Sequence, residues 1–457
     1  MQIQTDLTPQ ILTPKIADFV EMAGPKILAL HANWEPDQGS PVYTLDGQYT
    51  ARSWTDWTSG FLIGLAILQF DMTADEQFLV SGRDKTNEVM APHLSHLGVH
   101  DHGFNNVSTY GNLRRLMLEG RTPFDEYELR YYELALKLSG AVQAARYSPT
   151  NTGKGYIYSF NGPHSLFADT IRSMRSLSLA HHLGHVLMGE GEQRIDLLGR
   201  ALEHADTTAR FNVYFGEGRD SYDVPGRVVH ESIFNVNDGQ YRCPSSQQGY
   251  SPFTTWTRGA SWIISGYAEQ LEFLQTVDDR ELESFGGRAA IEELFLRVLY
   301  ATSDYYIGGY TCQDGIPFWD NGAPELHRLG DYRQHNSNPY NAHEPVDSSA
   351  AAITAQGLVR FGKYLNDRGD EVAGKRYLQA GLTVADTIFS APYISSDPNH
   401  QGLLLHAIYH RPNGWDFVPA DQSIPCGESC MWGDYHAMEL ALLIKRMADG
   451  GYLTFWG

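Results

Sequence analysis

Helical periodicity returns a dozen times along this chain. Ile291, Leu294, Phe295 and Val298 repeat at i, i+3, i+4 and i+7, the stripe of a helix with one apolar face. Ile195, Leu198, Leu202 and Ala205 form a similar stripe. Helical segments fall at about 54–71, 74–97, 105–119, 125–146, 165–187, 192–211, 256–276, 284–303, 347–365, 371–389 and 433–448. Thr13-Pro14 reads as an N-cap followed by proline at the first helical position, opening one more helix toward Leu30. Few strands compete; only 155–160 and 227–235 alternate β-branched and aromatic residues. Twelve helices in hairpin pairs have one compact closed solution, an all-α (α/α)6 barrel of six inner and six outer helices, with short β-hairpins in its loops. Inner helices of such a toroid run parallel, so their N-termini gather at one end of a central cavity. No Gly/Ser/Pro-rich linker divides the 457 residues, which predicts a single domain over 1–457.

Composition narrows the function. Hydrophobic residues make up 42% and charged residues 19%, a globular balance. A formal net charge of −21 excludes nucleic acid as a partner, because phosphate binding needs a basic surface. It does not exclude a small anionic sugar, which one or two local Arg or His residues can hold. No apolar run reaches the roughly 20 residues of a membrane helix. MQIQTDLTPQIL has no basic segment followed by an apolar one, so a cytoplasmic location is expected, or a periplasmic one if a signal was removed. Cys243, Cys312, Cys426 and Cys430 are too few for a disulfide framework. CGESC lacks the second Cys or His pair of a zinc site, so these read as ordinary thiols.

The loops before the even-numbered helices are long and aromatic: HANWEPDQGSPVYTLDGQYTARSW, RYSPTNTGKGYIYSFNGPHS and 213–255. Loops of that length are functional or disordered, and the aromatic content argues for the walls of a pocket. Polar residues stand at the starts of the same helices: Trp57 in WTDWTSGF, Asp101 in HDHGF, Asp169 in SLFADTIRSM. QQGYSPFTTWTRGASW, EPVDSSAAA and WGDYH follow at the eighth, tenth and twelfth. Asp347 and Asp434 read as N-cap or first-turn carboxylates, and Asp101 reads equally as a cap or as a functional group. Asp169 lies on an otherwise apolar segment, where an unpaired carboxylate is expensive. Burial and a neighbouring carboxylate raise its pKa while a helix N-terminus lowers it, and the sequence leaves that contest open.

The order WTSGF, HDHGF, DTIRSM, QGYS…TWTRGASW, FWDNGAP and DSSAAA resembles the unsaturated glucuronyl hydrolases of glycoside hydrolase family 88, with family 105 as a more distant likeness. The resemblance spans about Trp54 to Tyr435, and its most specific piece places Gln248, Arg258 and Trp262 at the family's spacing. It implies hydration of the C4=C5 double bond that polysaccharide lyases leave on a terminal uronic acid, followed by collapse of the hemiketal. On that resemblance Asp169 protonates C4 and then activates water for C5, and Asp101 modulates Asp169. His230 polarises the water or binds the uronate, and Gln248, Arg258, Trp262, Phe160 and Trp57 line the sugar subsite. The route implies no metal and no cofactor, with a small anionic oligosaccharide as the partner.

Departures are visible. Phe160 stands near a family tryptophan, NNVSTYGNLRR follows HDHGF where small apolar residues are usual, and TWTRGASW replaces WARGQAW. They leave the aglycone open. Three rivals remain: a saturated β-glucuronidase using Asp101 or Asp347, a sugar epimerase using His181 and His182, and a non-catalytic sugar-binding protein. The two histidines read better as surface and packing residues of an amphipathic helix. Aspartate at both 101 and 169 argues against the binding protein. Arg258 has its own alternative, an ion pair to a helix-terminal Asp.

Overall fold

The computed structural model describes residues 1–52 and 56–457. Twelve main helices run through the described residues: α1 (Pro9–Asn33), α2 (Ser59–Thr73), α3 (Glu76–Val89), α4 (102–118), α5 (Glu126–Ala145), α6 (170–182), α7 (Leu197–Asn212), α8 (Thr257–Leu274), α9 (Arg288–Tyr305), α10 (Ser348–Asp367), α11 (Glu371–Ile388) and α12 (Met431–Ala448). Helix α4 joins His102–Asn106 to Asn112–Leu118 through a π-helical turn at Val107–Gly111. Helix α6 joins Thr170–Ser173 to Arg175–His182.

The even-numbered helices pack each on the next, and α12 returns to α2, closing a ring that the odd-numbered helices surround. This is the (α/α)6 barrel. Burial explains which helices lie inside. Every residue from Thr257 to Leu271 in α8, and from Ser348 to Gly362 in α10, is buried. Outer α5 buries Tyr132, Leu136 and Ala135 on one face and leaves Tyr127 and Leu134 exposed on the other. The inner ring also holds charge, and that charge is paired. Arg172 reaches Glu269 at 2.6 Å and Glu439 at 3.0 Å, all three side chains essentially without exposure.

Two glycines set how closely the inner helices meet. A Cβ on Gly60 would stand 2.3 Å from the Asn105 carbonyl oxygen, where α2 meets α4. A Cβ on Gly103 would stand 2.4 Å from the Ser173 carbonyl oxygen, where α4 meets α6. Hydrogen bonds seal the second contact: Gly103 N–H donates to Ser173 Oγ, and Arg175 Nε donates to the Gly103 carbonyl.

Short antiparallel strands decorate the loops. β1 (Pro41–Leu45) pairs with β2 (Gln48–Ala51), β3 (Tyr147–Pro149) with β4 (Gly155–Ile157), and β6 (Leu187–Met188) with β7 (Arg194–Ile195). β5 (Ser165–Phe167) pairs with β8 (Glu231–Phe234), which pairs with β9 (Tyr241–Ser245). No described helix is long and apolar enough to cross a membrane. All four cysteines carry free thiols, and only Cys243 is exposed.

Several predicted boundaries shift. The first helix is capped at Thr8 with Pro9 in its first turn, not at Thr13-Pro14, because the buried stripe already begins at Leu12. The segment expected as a helix over 74–97 ends at Val89, and a separate turn, Ala91–Leu94, holds Pro92. The segment expected over 165–187 opens as strand β5, since Leu166 and Phe167 are claimed by pairing with β8, and its helix stops at His182. The strand expected over 227–235 is regular only at Glu231–Phe234. The expected start at 54, with Trp54, lies outside the described residues.

Candidate active site

The N-terminal ends of α2, α4, α6 and α8, with the loops around them, line a cavity of about 470 Å³. Trp57, Asp101, Phe160, Asp169, Gln248, Arg258 and Trp262 all line it. Of the residues expected there, His230 alone is set back, packed between the rings of Phe167 (4.4 Å) and Trp256 (4.6 Å).

The two aspartates arrive by different devices. Asp101 precedes α4 and Asp169 precedes α6, and neither side chain caps its helix. Both are therefore free for other partners. Strand pairing places the second: the Ala168 N–H donates to the His230 carbonyl, and Asn212 Nδ2 donates to the carbonyls of Leu166 and Val229. The close contact at Gly103 brings the start of α4 against α6.

One imidazole joins them. His100 Nε2 lies 3.2 Å from Asp169 Oδ1 and 3.6 Å from Asp101 Oδ1. Its backbone carbonyl accepts from Gln143 Nε2 at 2.6 Å. Its ring lies nearly parallel to Phe160 at 6.1 Å and edge-on to Phe167 at 5.6 Å. The sequence reading passed over this residue, although HDHGF prints it beside Asp101.

Electrostatics separates the pair. Burial pushes the Asp169 carboxyl up, but the hydrogen bond and charge of His100, with His230 and Arg258, outweigh it and hold Asp169 below the usual carboxylate range. The contest left open by the sequence thus goes chiefly to His100 and Arg258. Asp101 is raised, by burial first, which the Asp169 carboxylate reinforces against His100. His100 itself is raised: burial lowers it, and the two carboxylates more than restore it.

His230 accepts at Nδ1 from the backbone N–H groups of Gln247 (3.0 Å) and Gln248 (3.3 Å), so its proton sits on Nε2. Burial pushes its pKa down to about 4, leaving a neutral ring, and Nε2 has no protein partner among the described residues. That N–H is enclosed behind the cavity wall, so it is an unpaired donor in this structure.

Arg258 lines the cavity and is also tied into the protein. It lies between Trp256 (4.7 Å) and Trp432 (4.6 Å), but its fork is spent on the protein. Nη2 donates to Gln248 Oε1 at 2.8 Å and to the Tyr409 carbonyl at 2.7 Å, while Nη1 donates to the Ile408 carbonyl and faces Asp347 at 3.5 Å. Asp347 caps α10 as expected, accepting from the N–H groups of Ser349 and Ala350. The alternative reading, an ion pair to a helix-terminal Asp, is present as well. Arg258 contributes charge to the cavity and orients Gln248, whose amide NH2 is left for a ligand. Asp434 is in the first turn of α12, yet its carboxylate accepts from the N–H groups of Leu403 and Leu404 and from the Tyr49 hydroxyl.

Aromatic rings complete the wall. Trp57 stacks on Trp432 at 4.9 Å, and Phe104 bridges Trp57 and Trp262 at 6.1 Å and 4.9 Å. His410, also missed in the sequence, lines the cavity with 3% exposure, and neither ring nitrogen has a hydrogen-bond partner among the described residues. Burial, then Arg258, lowers it to about 4. His181 and His182 lie elsewhere, with His181 facing Glu281 at 3.2 Å and Asp196 at 3.7 Å.

No family model matches the chain. An unsaturated glucuronyl hydrolase of Formosa agariphila is 24% identical over 385 residues, covering 84% of this chain and 78% of that protein. One from Bacillus sp. strain GL1 is 25% identical over 418 residues, covering 88% and 90%. A solved unsaturated glucuronyl hydrolase specific for heparin superposes with a TM-score of 0.71 at 17% identity, covering 96% and 99%. The chain is similar to the unsaturated glucuronyl hydrolases. Both curated unsaturated glucuronyl hydrolases align over stretches long enough to take in most of the barrel, and the structural likeness gives the (α/α)6 fold.

Proposed function

We propose that this chain is a glycoside hydrolase, one catalytic domain over 1–457, that removes a terminal 4,5-unsaturated uronic acid from lyase-generated oligosaccharides by hydrating the C4=C5 bond. The observation that carries the reading is the convergence of Asp101 and Asp169 on one wall of an aromatic cavity with Arg258 behind it. The curated relatives' shared name supports it.

The uronate carboxylate is attracted by Arg258 and hydrogen-bonded by Gln248, and Trp57 and Trp262 cover the apolar sugar faces. Asp169 donates a proton to C4 as the double-bond electrons form the C4–H bond, leaving positive charge at C5 shared with the ring oxygen. Water adds at C5 and returns a proton to Asp169, now a carboxylate. The hemiketal opens and releases the aglycone. No glycosyl-enzyme forms, so the carboxylate separations of retaining and inverting glycosidases do not apply.

Loss of ultraviolet absorbance by a panel of lyase-generated unsaturated disaccharides tests this. Decay on any member is the expected result, and the preferred member names the aglycone. No decay across the panel, with release from a saturated glucuronide instead, overturns it.

A further inference from the structure

The proposed reaction begins with a proton on Asp169, yet Asp169 is the carboxylate held in its ionised form. The proton must come from a neighbour, and the geometry leaves one. His100 Nε2 stands 3.2 Å from Asp169 and 3.6 Å from Asp101. A bare ring nitrogen aimed at two carboxylates would be repelled by both, so Nε2 carries hydrogen. The side chain is 3% exposed and packed against two phenylalanine rings, and Gln143 holds the His100 backbone, which keeps that hydrogen on line with Asp169.

We infer that His100 is the proton store of this site, passing its Nε2 proton to Asp169 when substrate binds, and that Asp101 is the counter-ion holding His100 charged. The inference rests on the hydration reading and supplies its first step. An arriving uronate adds negative charge beside Asp169, which strengthens that group's hold on a proton and draws one across the short hydrogen bond. Asp169 gives this proton to C4. The water that adds at C5 returns one to Asp169, and His100 recovers it. One proton leaves and one comes back, with no oxidant or reductant.

The two carboxylates favour this charge state, against burial and an Nδ1 that has no hydrogen-bond partner among the described residues. Asp169 at the start of α6 and Asp101 before α4 face the imidazole as anions. Arg146, at the end of α5, opposes them from the other side. His204 of α7 and His230, next to β8, also feel His100, but burial lowers them to about 3 and about 4 and leaves both uncharged. His96 acts on Asp101 and Arg258 on Asp169.

The test combines kinetics with imidazole NMR. In His100→Gln, kcat on the unsaturated disaccharide falls about 10²-fold or more with KM nearly unchanged, and the alkaline limb of the wild-type pH profile disappears. In full-length wild type, one histidine titrates above the ordinary range, and Asp101→Asn or Asp169→Asn lowers it. His100→Gln with wild-type kcat and pH profile overturns the inference. So does a set of histidine titrations that neither Asn variant moves, a result that holds even if His100→Gln fails to fold. A wild type inactive on every unsaturated disaccharide sinks the hydration reading instead, which separates the two failures.

Discussion

Arg258 and Asp169 look alike in the sequence, two charged residues in motifs of one family, but their surroundings assign them different consequences on mutation. Arg258 holds the carbonyls of Ile408 and Tyr409 and the Asp347 carboxylate. Lysine cannot reproduce that fork. Arg258→Lys therefore lowers stability by about 2 kcal/mol, the scale of lost hydrogen bonds to a charged group, together with kcat/KM. Asp169 caps nothing, and its short side-chain contact is the one to His100, so Asp169→Asn lowers the melting temperature less than Arg258→Lys does while kcat drops about 10²- to 10⁴-fold. Thermal melts beside kinetics check both; equal melting temperatures for the two variants contradict the assignment. The residue scale is also where the sequence was least informative. It named Asp101 and Asp169 because a carboxylate on an apolar segment is a visible anomaly. It missed His100 and His410 because a histidine's role lies in which nitrogens find partners, and those partners come from loops distant in the chain.

At the scale of elements, the active-site pair depends on two helix starts meeting without side chains between them. The glycine of HDHGF, Gly103, lies against the Ser173 backbone, and the glycine of WTSGF, Gly60, lies against Asn105. Backbone atoms cannot move aside as a side-chain tip can. Gly103→Ala forces α4 from α6, costs about 1–3 kcal/mol as overpacking does, and lowers kcat by moving Asp101 and His100 relative to Asp169. Gly120→Ala, at a position where a Cβ meets nothing but φ is +67°, lowers stability without a specific kcat effect. If Gly103→Ala leaves kcat unchanged, the helix contact does not position the pair. Helix existence was legible throughout, since the 3.6-residue period survives wherever one face is buried. Boundaries were not legible where tertiary pairing took over: Ser165–Phe167 are apolar enough for a helix, and only the distant strand β8 turns them into β5.

For the whole molecule, the number and alternation of helices sufficed to foresee a closed ring, because twelve amphipathic hairpin partners have few other ways to bury their faces. The count does not reveal how many titratable groups the ring encloses. Six histidines, His102, His204, His230, His406, His410 and His436, have pKa values lowered by burial to about 3 or about 4. The unfolded chain protonates each near 6.5, so between that value and the folded one the unfolded state binds more protons. Stability from these groups is complete above about pH 6.5 and is lost as pH falls toward 4. Asp320, Asp416 and Asp434 act with the opposite sign, since burial raises each to about 6 and the folded state keeps their protons longer. His100 and Asp101, both raised, join the opposing side, and His31, His182 and His185, also lowered by burial, join the six, so the lowered histidines dominate over most of that window. The melting temperature accordingly falls as pH is lowered from about 7 to about 5, and Asp434→Asn, which removes one opposing group, steepens the fall. Differential scanning calorimetry across that range decides the matter: a melting temperature that is flat or rises on acidification means these imidazoles are protonated in the native barrel, contrary to their enclosure by the inner helices and loops.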